Sequence, residues 1–156
     1  MKYWLHFKTI SKHKYYVMIE CFKRGLFWQG IVHDLSKYSI IEFKESAKYF
    51  QGTGTPISKI KAELGYSKAW LNHKGRNKHH WQYWTDFYDG VVKPIAIPTR
   101  YVEEMACDMI GASKAYLKTK YDNKEPLKYF IDRKDNFFME DNSKLYLEAL
   151  LRQIIE

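Results

Sequence analysis

The sequence predicts an all-α protein, a compact helical bundle in a single domain over residues 1–156. Three observations predict it. Apolar residues recur at three- and four-residue spacing through most of the chain, as at Tyr15, Met18, Ile19 and Phe22. Gly, Pro, Ser and Asn fall between these stretches, where helices start and stop. Hydrophobic residues make up 46% of the 156 positions, enough for one real core, with no repeat, heptad array or low-complexity linker.

In chain order, Ser11 is placed to cap a first helix that Gly25 ends. A second runs from Leu26 to His33–Asp34, with Gly30 inside it as a mark of close helix packing. Ser39 and Glu42 have capping-box spacing and open a third helix through Phe43 to Tyr49. "QGTGTP", from Gln51 to Pro56, is the clearest loop. A short helix over Ser58 to Leu64 stops at Gly65. Ser67 caps "KAWLNH", Gly75 interrupts, and Asn77 caps a new helix through "KHHWQYW"; one helix continuing across Gly75 is the alternative. "DGVVKPIAIP" reads as a loop or short extended segment. Pro98 sits in the first turn of a long helix over "TRYVEEMACDMIGASKAYLK". "YDNKEP" is a turn, and Pro126 starts a helix around Leu127 to Ile131. "RKDNFFMEDN" is irregular, and Asn142 caps the last amphipathic helix, "SKLYLEALLRQII".

The net charge of +8 and pI near 9.3 favour anionic partners such as nucleotides, nucleic acid or phosphate esters. The lysines are scattered, so a solvated surface accounts for most of them. No apolar run is long enough to span a membrane, and the N-terminus lacks the apolar core and cleavage site of a signal peptide. Cys21 and Cys107 lie in apolar helical patterns without CxxC spacing. They read as reduced core residues of a cytoplasmic protein.

All six histidines (His6, His13, His33, His73, His79 and His80) lie in the first 80 residues. His6 reads as an ordinary surface or core residue. His33 directly precedes Asp34, and a later helix carries Glu104 and Asp108, four apart and on one face. Asp108 lies between Cys107 and Met109, where a carboxylate needs a partner. Imidazole nitrogens and carboxylate oxygens are the ligands expected for Zn, Fe, Mn or Ni, and a helical bundle can bring them together from separate helices.

The order His13, then His33–Asp34, then Asp108 resembles the H…HD…D signature of the HD-domain superfamily of metal-dependent phosphohydrolases. The resemblance implies an HD-type helical fold with those residues on a divalent metal (Mn, Fe, Zn, Ni or Co). It also implies that Lys37, three residues after Asp34, faces a substrate phosphate. Some members hold a second ion on further histidines between the doublet and the last Asp, an interval that here contains His73, His79 and His80. Longer phrases ("HKYYV", "GLFWQGIVHDLSKYSIIEF", "AWLNHKGRNKHHWQYW" and "IPTRYVEEMACDMIGASK") resemble the blocks of an uncharacterised family of short bacterial and phage proteins.

The expected function is hydrolysis of a nucleotide or other phosphate ester. His13, His33, Asp34 and Asp108 hold one ion that lowers the pKa of a water. Lys37 and Arg76, with Lys74 or Arg100, hold phosphate oxygens. Glu104 orients a ligand or takes a proton. His73 with His79 or His80 holds a second ion or contacts phosphate as an acid. Two alternatives stand: an HD-type di-iron oxygenase on the same residues, and a non-enzymatic module binding single-stranded nucleic acid through the basic, aromatic "KGRNKHHWQYW".

Overall fold

A computed structural model describes residues 1–155. Among the described residues helix is the dominant element, as expected, and a single β-hairpin is added to it. The chain begins with α1 (Lys2–Lys23). This helix starts nine residues before Ser11, which therefore is not its cap; the Ser11 hydroxyl lies 3.1 Å from the Tyr38 hydroxyl instead. After Gly25 come α2 (Phe27–Val32) and a 3₁₀ turn, Leu35–Tyr38. Gly30 rests on Cys21 and Phe22 of α1, so its lack of a side chain is used for packing.

The Ser39 hydroxyl accepts from the Glu42 N–H at the start of α3 (Ile40–Tyr49). The Glu42 carboxylate does not fold back to complete a capping box, because it reaches another helix. Next come α4 (Ile57–Leu64), stopped at left-handed Gly65, and α5 (Lys68–Arg76), capped by Ser67. Gly75 does not interrupt α5. Asn77 closes that helix instead of opening another, and only a 3₁₀ turn, Trp81–Tyr83, follows.

The segment expected as a loop or extended stretch, from Asp89 on, supplies the turn and second strand of an antiparallel hairpin whose first strand precedes it: β1 (Thr85–Tyr88) and β2 (Val91–Pro94) pair Tyr88 with Val91 and Phe87 with Val92. Asp89 and Gly90 both have positive φ, the conformation that a two-residue hairpin turn demands. Then come α6 (Thr99–Leu117), α7 (Glu125–Ile131) and α8 (Asp141–Arg152). The cap of α8 is Glu140, not Asn142: its carboxylate accepts from the N–H groups of Asn142 and Ser143.

One apolar core lies where α6, α7 and α8 meet, around Val102, Phe130, Leu147 and Leu151. A smaller one, Val17, Cys21 and Cys107, joins α1 to α6; both cysteines are buried and in no disulfide. Among the described residues no helix is long and apolar enough to cross a membrane. The N-terminal helices and α6 enclose the histidines between them.

Candidate metal centre

The predicted ligands come from several elements. His13 is on the buried face of α1, and Asp108 and Glu104 are on α6. His33 closes α2, and Asp34 follows with left-handed backbone, φ 55° and ψ 22°. Successive helical residues diverge by about 100°. The break in helix at His33 and the reversal at Asp34 let both adjacent side chains turn to one place. His73 comes from α5, and His79 and His80 from the turn after it.

The structure brings His13, His33, Asp34 and Asp108 together. The Nε2 of His13 lies 3.2 Å from Asp34 Oδ2 and 3.0 Å from Asp108 Oδ1. His33 Nε2 lies 3.3 Å from Asp34 Oδ2 and 3.5 Å from Asp108 Oδ1. A second group forms on the other carboxylate oxygen: His73 Nε2 and His79 Nε2 are each 3.3 Å from Asp34 Oδ1. His80 joins it, and the ligand atoms of each group lie within 4.8 Å of one another. Asp34 is therefore common to both groups, with one oxygen in each.

His13 Nε2 and Asp34 Oδ2 are hydrogen-bonded, but several of the other ligand atoms are not. His33 Nε2, His79 Nε2, His80 Nε2 and Asp34 Oδ1 are buried and have no hydrogen-bond partner. Orphaned buried polar atoms are costly and call for an explanation. Ligand atoms about 2.1 Å from one ion stand roughly 3.0–3.4 Å apart at octahedral to tetrahedral angles. The separations of 3.0–3.5 Å have that spacing. The donor set of imidazoles and carboxylates suits Zn, Fe, Mn, Co or Ni, so the residues present fit the expected ion.

Around these atoms lies a shell of hydrogen bonds. His33 Nδ1 donates to Glu104 Oε1 at 2.9 Å, and His79 Nδ1 lies 3.1 Å from the same oxygen. His73 Nδ1 donates to Glu42 Oε2 at 2.8 Å, and Asn72 donates to Glu42 Oε1 at 2.6 Å. Such partners orient ligating histidines. Glu42 and Asn72 were not foreseen. Their signal was faint: Glu42 sits on the apolar face of α3, but Ser39 three residues before it offers a simpler capping role.

Charge follows from this packing. Burial pushes Asp34 up, yet His33, Lys37 and His73 override it and hold its carboxyl well below the usual range. Burial likewise opposes ionisation of Asp108, and His13 and His33 hold it low. Burial and the neighbouring His79 and His73 keep His80 neutral, well below 6.5. His33 is raised well above 6.5, because Asp34, Asp108 and Glu104 outweigh its complete burial.

Lys37 Nζ lies 2.5 Å from Asp34 Oδ2. Burial disfavours its charge, but Asp34 and Asp108 raise it above the ordinary lysine value, so it stays cationic. Its side chain is 28% exposed and that of Asp108 21%, so the centre meets solvent on their side. The other predicted phosphate contacts are not at the ligands. Arg76 is exposed and bonded to Asn72, and Arg100 is exposed. Neither Lys74 nor Arg100 has an ion pair with a ligand among the described residues. His6 is buried and packs on Phe43 and Phe50, with Nδ1 unpartnered.

Residues 2–153 match the model of a family of unknown function, DUF5662. The chain belongs to that family. No curated protein and no solved structure matches it.

Proposed function

We propose that this DUF5662 member is a metal-dependent phosphohydrolase of the HD-domain type, acting on a nucleotide or other phosphate ester in the cytoplasm. One observation carries the reading: the two oxygens of Asp34 face two separate groups of ligand atoms at ligand–ligand spacing, and His33 Nε2, His79 Nε2, His80 Nε2 and Asp34 Oδ1 among them are buried without a hydrogen-bond partner. His13, His33, Asp34 and Asp108 would hold one ion, and Asp34, His73, His79 and His80 a second. Bound there, divalent ions would supply a water acidified to near-neutral pKa and charge to offset a phosphoryl group.

The chain's own residues supply the rest. Lys37 carries a fixed positive charge at the solvent side of the centre, where a phosphate oxygen can replace Asp34 as its partner. Glu104 and Glu42 hold the histidines with Nε2 turned inward. The basic surface attracts anionic substrates over a longer range.

The histidine-rich ligand set also favours a second reading, two irons in oxygen chemistry, for which five imidazoles and two carboxylates are a suitable count. A nucleic-acid module draws less support, since His79 of "KGRNKHHWQYW" is buried in the protein.

Elemental analysis of the purified protein, with His33→Ala and Asp34→Ala beside it, tests the centre. Unchanged metal content in both variants rules it out. A screen of nucleotides and generic phosphate esters with Mn, Co, Ni, Fe and Zn tests the reaction. Metal uptake without phosphate release, together with an oxygen-sensitive iron spectrum, transfers the conclusion to the oxygenase.

A further inference from the structure

One buried carboxylate touches both ligand groups without contributing to either. Glu104 is 5% exposed. Its Oε1 alone lies 2.9 Å from His33 Nδ1 and 3.1 Å from His79 Nδ1. Those two imidazoles turn their Nε2 atoms to different oxygens of Asp34: His33 to Oδ2 and His79 to Oδ1. Their ring centroids are 4.3 Å apart, so neither ring can swing without meeting the other.

A carboxylate only accepts hydrogen bonds, so a ring nitrogen held against it must carry the hydrogen. The single oxygen therefore dictates Nδ1–H for both rings and leaves Nε2 of each as the atom that can bind an ion once its own proton is displaced. Glu42 offers an internal contrast. It holds only His73 of the second group, and its other oxygen is occupied by Asn72.

We infer that Glu104 is a positioning residue that sets the tautomers of His33 and His79 together, so that the two ion sites are coupled through one oxygen atom. The inference rests on the metal reading above. Because both rings share Oε1, a change at Glu104 reaches both bonds at once, so neither site is tuned alone.

The test uses metal-stripped protein titrated with Co(II). His13→Ala leaves the second group intact, and His80→Ala leaves the first. Adding Glu104→Gln to each is expected to weaken the remaining site about 10–100-fold, the usual effect of losing such a partner. Adding Glu42→Gln should do so only in the His13→Ala background. An effect of Glu104→Gln in one background alone overturns the coupling while leaving the metal centre standing.

Nitrogen NMR of the metal-free wild type gives an independent readout that does not depend on a variant folding. His33 and His79 should both show Nδ1–H, whether or not Nε2 is protonated as well, and a bare Nδ1 on either ring overturns the inference. No Co(II) uptake by the wild type removes the metal reading, and the NMR result then decides the positioning role by itself.

Discussion

Gly111→Ala tests how α1 and α6 set the width of the centre. A Cβ at this position overlaps Val17 Cγ2 and stands 2.9 Å from the Val17 backbone N. Val17 is fully buried, so its methyl has no space to rotate into, and a backbone atom cannot swing aside. Ordinary contact between such atoms is about 3.5–4.0 Å, so the helices must part by roughly 1 Å. Overpacking of this kind costs about 1–3 kcal/mol, and a backbone clash belongs at the upper end. Alanine returns about 1 kcal/mol of helix propensity. The net loss is about 2 kcal/mol, or roughly 4–8 °C in Tm for a chain of this size.

The ligands move with the helices. Val17 is one turn from His13 and Gly111 one turn from Asp108, so separation at the crossing lengthens the 3.0 Å distance from His13 Nε2 to Asp108 Oδ1. Co(II) affinity at that site should fall together with stability. Gly75→Ala is the control. It lies within α5 with no atom within 4 Å of the added Cβ, so the same substitution should stabilise by up to about 1 kcal/mol. Urea unfolding and calorimetry on both variants give the comparison. A Gly111→Ala protein as stable as Gly75→Ala refutes the close-crossing argument.

Other outcomes follow from the same geometry. Burial pushes the Glu20 carboxyl up, but Lys114 Nζ at 2.6 Å and Lys23 Nζ at 3.0 Å hold it below the ordinary 4.5. A depressed folded pKa contributes stability that is fully present above 4.5 and is lost as pH falls through the folded value, so Glu20→Gln should flatten the acid limb of a stability–pH profile there. Lys37→Met should raise the KM for phosphate esters about 10-fold or more while elemental analysis finds the metal content unchanged. Phe130→Ala removes a fully buried ring from the α6–α7–α8 core and should cost about 3–5 kcal/mol in denaturant unfolding, with the metal sites retained.

The helix boundaries at Ser39, Gly65 and Ser67 were legible because each is decided by one local device, a hydroxyl cap or a left-handed glycine. The first turns of α1 were not. Its buried line runs His6, Ile10, His13, Val17, so two of the first three inward residues are imidazoles that a hydrophobic pattern counts as polar. Tyr3, Trp4 and Phe7 face outward and blur the periodicity further. Gly75 misled for the opposite reason: its propensity cost is small beside the tertiary contacts of α5, and the helix passes through it. At α8, Glu140 and Asn142 are both competent caps, and only the backbone geometry chooses between them.

The candidate centre divides in the same way. His13, His33, Asp34 and Asp108 were legible from order along the chain, and the second group from the density of histidines after residue 70. Which cation stands at the centre was not. Lys37 is fixed three residues from Asp34 by a tight turn, whereas Arg76 projects from α5 toward Asn72 and solvent. Nor was the outer carboxylate on α3, since nothing local separates a Glu that caps its own helix from one that crosses to another.

Position 34 is subject to two demands that have nothing to do with each other. Its backbone is left-handed, a conformation that glycine, asparagine and aspartate enter most readily. Its side chain must present an ionised oxygen on each of two sides. Glycine meets only the first demand and glutamate only the second; asparagine meets the first and half of the second. Substitution at this position therefore sorts folding from chemistry. Asp34→Asn should keep the turn and lose the charge, Asp34→Glu should keep the charge and strain the turn, and aspartate alone fulfils both.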